Sequence, residues 1–96
     1  MNNLESQYHP IKIMLMGIKQ IPISKFIKWL ESRGLEYQRT SSSHSHYNYP
    51  ERHPKRLTRC ITVRLRDKDI PLFHIHTNLQ TLGIPKSQFE KEIKNF

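Results

Sequence analysis

The chain has 96 residues, with 16 Lys and Arg against 8 Asp and Glu and a formal net charge of +8. That length suits one domain with a single modest core and excludes a second independent one. The apolar share of 35% is low, no apolar run approaches the ~20 residues of a membrane-spanning helix, and a lone cysteine, Cys60, cannot close an internal disulfide, which fits a reducing compartment.

The opening MNNLESQYHP carries no basic segment followed by an apolar core and a cleavage site, so the expected location is cytoplasmic. Residues 1–17 read as an N-terminal extension, either disordered or adding a strand, because Ile11, Ile13 and Leu15 alternate. Met16 is an alternative start. Residues 18–96 form the expected domain. Its first element is a helix over KFIKWLESRG, with Ser24 as N-cap, Phe26, Ile27 and Leu30 on one stripe, Trp29 at the edge of the core and Gly34 as the stop.

Leu35 to Arg39 alternates with the period of a half-buried strand, and Ser41, Ser42 and Ser43 form a connection to a second strand, His44 to Tyr49. There Tyr47 and Tyr49 share one side and His44, His46 and Asn48 the other. The polar stretch ERHPKRL leads into a third strand, TRCITVRL, in which Ile61, Val63 and Leu65 oppose Cys60, Thr62 and Arg64. Cys60 itself reads as a small sheet or core residue. A hairpin loop at Arg66 to Asp69 predicts a fourth strand over IPLFHIH, with Phe73 and Ile75 opposite Leu72, His74 and His76. A closing helix over IPKSQFEKEIKNF has Pro85 in its first turn and Phe89, Ile93 and Phe96 on one face.

This order predicts an α+β fold, a small antiparallel sheet with two helices on one face and the other face open. Between Arg39 and Lys68 lie eight cations and two acids, so six of the net eight charges fall in the middle third. A field concentrated there suits a polyanion, and nucleic acid is the first candidate partner. A charge that merely keeps the protein soluble is the plainer reading. An anionic membrane is a third, but the charged segment lacks an apolar interfacial face.

Strand alternation assigns His44, His46, His74 and His76 to the open face or its rim. Imidazole titrates near neutrality, so it serves as base or acid in RNA cleavage by the 2′-hydroxyl, while Lys or Arg stabilises the charged phosphorane. His44 is the candidate base. Ser43, His46, Arg52, Lys55, Arg56, Arg59 and His76 are the candidate substrate-binding residues, and neither metal nor other cofactor is required. Two alternatives stand beside this: solvent-facing histidines of no catalytic consequence, and a metal site built on His44-x-His46 and His74-x-His76, which lacks a nearby carboxylate or thiolate.

The segment ISKFIKWLESRG followed by a strand, the Ser43-His44 pair, the strand end from Tyr47 to Pro50 and a late strand closing in histidine before a final helix together resemble the HicA toxins of bacterial toxin-antitoxin pairs. The resemblance covers Ile21 to Ile93. It implies a fold like the double-stranded-RNA-binding domain (α-β-β-β-α, here with one possible extra strand), mRNA cleavage with His44 as the catalytic histidine, and a HicB-like antitoxin as partner. His76 is similar to the family's strand-ending histidine, and His46 falls one place beyond the second histidine. Ser42 stands where the family has glycine, and ERHPKRLTRCITVRLRDKD exceeds the family's compact hairpin. The alternative expectation is a non-catalytic double-stranded-RNA-binding module using the same basic face.

Overall fold

Three helices are entered by the same dipeptide. The computed structural model describes Gln20–Phe96, in which Ile21-Pro22, Ile70-Pro71 and Ile84-Pro85 precede α1 (Ile23–Ser32), α2 (Leu72–Leu82) and α3 (Lys86–Ile93). Proline suits these positions because its φ is preset and no N–H is lost from the helix ladder. Each proline carbonyl accepts the amides of the third and fourth helical residues, as Pro22 does from Lys25 at 3.0 Å and Phe26 at 3.1 Å. Each preceding isoleucine is buried, as are the fourth helical residues Phe26, Ile75 and Phe89. That pairing is a hydrophobic staple, and it sets the angle at which the chain enters each helix.

None of these three helices has a side-chain cap. Ser24, expected as the N-cap of α1, therefore lies inside its first turn, and the Ile23 amide instead donates to the Lys68 carbonyl at 3.0 Å. At their other ends, α1 and α2 stop on left-handed glycines, Gly34 with φ 96° and Gly83 with φ 70°. Leu35 N–H reaches back to Leu30 O at 3.1 Å, and Ile84 N–H to Leu79 O at 3.0 Å. All four of those side chains are buried, so both stops are Schellman motifs sealed by an apolar contact.

Strands β1 (Glu36–Ser41), β2 (His44–Asn48) and β3 (Ile61–Arg64) form one antiparallel sheet in the order β1-β2-β3. The fold is thus α+β, with the expected α-β-β-β-α succession and a further helix. Tyr47, Ile61 and Val63 point from the sheet into a single core with Phe26, Trp29, Leu30, Ile75, Leu79 and Phe89. Trp29, expected at the core edge, is fully buried, with its ring centroid 4.7 Å from that of Phe89 and 5.5 Å from that of Phe26. Its indole N–H would be costly there without a partner, and it donates to Glu92 Oε1 at 2.9 Å.

The expected fourth strand over Ile70 to His76 is not a strand. Leu72 begins α2, which continues to Leu82 and packs on β3. Pro71 at the start, Gly83 at the stop, and Ile75, Leu79 and Leu82 at helical spacing outweigh the short alternation of IPLFHIH. Phe73, expected on the same side as Ile75, is in consequence 57% exposed while Ile75 is buried. Leu65, expected on the strand side of Ile61 and Val63, and Phe96, expected on the helix face of Phe89 and Ile93, are exposed because each lies just past the end of its element. The expectations for residues 1–17 fall outside the described residues.

Candidate nucleic-acid interface

Pairing register decides which side chains meet. His44 lies opposite Ser41 on β1 and Arg64 on β3, and His46 lies opposite Arg39 and Thr62. A bulge between Tyr37 and Arg39 shifts β1 by one residue, so that Tyr37 joins Tyr47 on the core side and Arg39 joins His46 on the other. The face away from the core therefore carries two rows across the sheet, Ser41-His44-Arg64 and Arg39-His46-Thr62. Ser45, between the histidines, is buried with Val63 on the opposite face.

The two-residue turn Ser42-Ser43 launches β2 at His44. Ser42 has φ 56°, so the position does demand the left-handed backbone that glycine takes freely. Ser43 O accepts the Leu65 amide at 2.9 Å, tying the turn to the end of β3. That bond holds His44 beside Arg64.

A third histidine joins these two. Asn78, on the buried side of α2, donates to Thr62 O at 3.2 Å and docks the helix against β3. The chain reverses between β3 and α2, so His74, one helical turn before Asn78, lies toward Arg64, two strand residues after Thr62. Arg64 is itself paired with Asp67, Nε to Oδ2 at 3.1 Å.

Charge and burial act on these imidazoles together. Burial lowers the pKa of His46, and the charges of Arg39 and His44 lower it further. Burial also lowers that of His74, with Arg64 and His44 adding to the effect and Asp67 opposing it. Both imidazoles are thereby held toward the neutral form, which accepts protons. His46 Nε2 is buried and has no hydrogen-bond partner among the described residues.

The other expected site residues lie elsewhere. Arg52, Lys55, Arg56 and Arg59 belong to the connection between β2 and β3, at the opposite end of β2 from His44. Four strand steps of about 3.3 Å put that end about 13 Å away. The connection is well tied down: buried Asn48, expected beside the open-face histidines, instead accepts the Leu57 and Tyr49 amides at 2.9 and 2.8 Å and donates to Leu57 O at 3.0 Å. Arg56 is engaged structurally, donating to Tyr49 O at 2.7 Å. Arg52, Lys55 and Arg59 are exposed.

His76, expected with the others, sits instead on a shallow, largely apolar hollow of about 350 Å³ lined also by Leu79, Gly83, Ile84 and Lys86. A step of two residues turns a helix by roughly 200°, which sends His76 away from His74. The strand ending in His76 that contributed to the HicA resemblance is accordingly absent. Arg39 and Arg64 were not singled out as site residues from sequence, because only the register of the bulged sheet sets them beside His46 and His44. His74, expected on the open face of a fourth strand and as half of a metal-binding pair with His76, comes to the neighbourhood of Arg64 from a helix instead.

Among the described residues, no three of His, Cys, Asp and Glu come together as a metal-ligand set. No helix among them is long and apolar enough to cross a membrane. Compared with protein-family models, curated proteins and solved structures, the chain has no match.

Proposed function

We propose that this protein is a metal-independent endoribonuclease that cleaves mRNA, acting as the toxin of a toxin-antitoxin pair in the cytoplasm. The observation that carries the reading is His44 in the central strand, between Ser41 and Arg64 on the face away from the core. A phosphodiester over that row meets a guanidinium beside an imidazole. The imidazole takes the 2′-hydroxyl proton, the 2′-oxygen attacks phosphorus, and the guanidinium stabilises the charge on the phosphorane oxygens.

Arg39 extends the cationic row along the same face, and the exposed Arg52, Lys55 and Arg59 suit neighbouring phosphates rather than the reacting one. His46 and Ser43 flank the reacting nucleotide. The net charge of +8 favours RNA and equally an acidic protein such as a HicB-like antitoxin, which would compete for the face. A module that binds RNA through this face without cutting it is the alternative.

Purified protein with an mRNA transcript and EDTA tests the reading. Cleavage leaving 2′,3′-cyclic phosphate ends, slowed at least about 100-fold by His44→Ala with RNA affinity retained, is the expected result. Binding without cleavage would establish the alternative, and full activity of His44→Ala would remove His44 from the chemistry.

A further inference from the structure

Cleavage by the 2′-hydroxyl needs two proton transfers, one from the nucleophile and one to the leaving 5′-oxygen, and the reading above fills only the first. We propose that His74 is the general acid of this site, an assignment that rests on that reading and extends it. Three placements support it. Asn78 fixes α2 on β3 through Thr62 O at 3.2 Å. Moving back one helical turn from Asn78 covers about 6 Å, and moving on two residues from Thr62 covers about 7 Å, so His74 comes alongside Arg64. Arg64 is the register partner of His44 and its charge also acts on His74, so one guanidinium neighbours imidazoles carried by two different elements. A phosphate on Arg64 then has His44 on one flank and His74 on the other.

The step balances. His44 takes the proton of the 2′-hydroxyl, the 2′-oxygen forms its bond to phosphorus, the bond from phosphorus to the 5′-oxygen breaks, and His74 delivers its proton to that oxygen. The products are a 2′,3′-cyclic phosphate and a 5′-hydroxyl, and exchange with water restores both imidazoles.

The groups facing His74 are Arg64 and His44 from the sheet and Asp67 from the following turn. In the free protein, burial, Arg64 and His44 disfavour the imidazolium, whereas Asp67 favours it. A bound phosphodiester anion offsets the Arg64 charge and promotes the acid form where it is needed. The pH dependence therefore differs between kcat/KM, which reads the free protein, and kcat, which reads the complex.

The test uses the full chain and an RNA oligonucleotide spanning a bond that the wild type cuts, made with either the natural 5′-oxygen or a bridging 5′-sulfur at that bond. A thiolate leaves without protonation. His74→Gln is expected to slow cleavage of the oxygen bond by about 100-fold or more and that of the sulfur bond by less than about 5-fold, whereas His44→Gln slows both. His74→Ala is expected to show the same selective rescue, and the ratio of the two rates on one preparation does not depend on the fraction folded. Equal losses on both bonds, or none, would overturn the role of His74 and leave His44 standing. His44→Gln at the wild-type rate would overturn the reading of His44 as base, and a wild type that cuts no RNA, leaving no such bond to test, would overturn both assignments.

Discussion

Two triplets with the same spacing, His44-Ser45-His46 and His74-Ile75-His76, have opposite geometries. In each, the middle residue is buried, Ser45 at 3% exposure and Ile75 at 0%. On β2 the flanking histidines share the face opposite Ser45, because strand side chains alternate. On α2 the flanking histidines diverge to either side of Ile75, so His74 turns toward Arg64 and His76 toward the hollow near Gly83. A His-x-His motif is therefore a pair on a strand and two separate residues on a helix.

The comparison breaks most readily at the middle residues. Ile75→Ala removes the fully buried side chain that staples α2 to the core, and urea denaturation is expected to show a loss of about 2–5 kcal/mol. The corresponding change on the strand, Ser45→Ala, costs about 1 kcal/mol or less in the same measurement, since it loses a 3.3 Å contact with Thr40 Oγ1. Similar losses at the two positions would show that α2 is not anchored as described.

Acidification distinguishes the triplets by their outer residues. His46 and His74 both have folded-state pKa values below their ordinary 6.5, so the unfolded chain binds more protons in the window below that value. Their contribution to stability is thus fully present above pH 6.5 and is lost as pH falls through the lower folded values. Thermal midpoints measured from pH 7.5 to 5 are expected to fall, and less steeply in the double variant His46→Gln with His74→Gln. An unchanged slope would remove these two groups as its cause.

Smaller effects are expected at the margins of each triplet. Ser42→Gly relieves the left-handed serine that launches His44, and it is expected to raise stability by about 0.5–1 kcal/mol in urea. His76→Ala is expected to leave RNA cleavage within about 2-fold and stability within about 0.5 kcal/mol. A large loss of cleavage in His76→Ala would mean that the hollow, and not the sheet face alone, contacts the RNA.

Much of β2 and its neighbours was legible in advance. The alternation of His44 and His46 against buried Tyr47 was correct because a central strand has one core-facing side and a strict period of two. Gly34 announced the end of α1 through its freedom at positive φ. The basic middle segment, by contrast, is one patch to a count of charges, although Arg64 and Arg56 do different work. Arg64 faces His44 across the sheet, while Arg56 is used on the Tyr49 carbonyl. A count of charges cannot separate them, because the division follows from strand register and from where a loop's backbone carbonyls fall.

By itself, the sequence determined a basic chain of the α+β class, the placement of β1, β2, β3 and α1, and the candidacy of His44, because these follow from local periodicity, turn residues and charge. The Ile-Pro dipeptide before each of the three described helices is a local signal too, and it marks α2. The bulge that turns Arg39 toward His46 and the packing of α2 on β3 that carries His74 to Arg64 were decided only by the tertiary structure. Each depends on contacts between elements remote in sequence, whose register and packing no local pattern encodes.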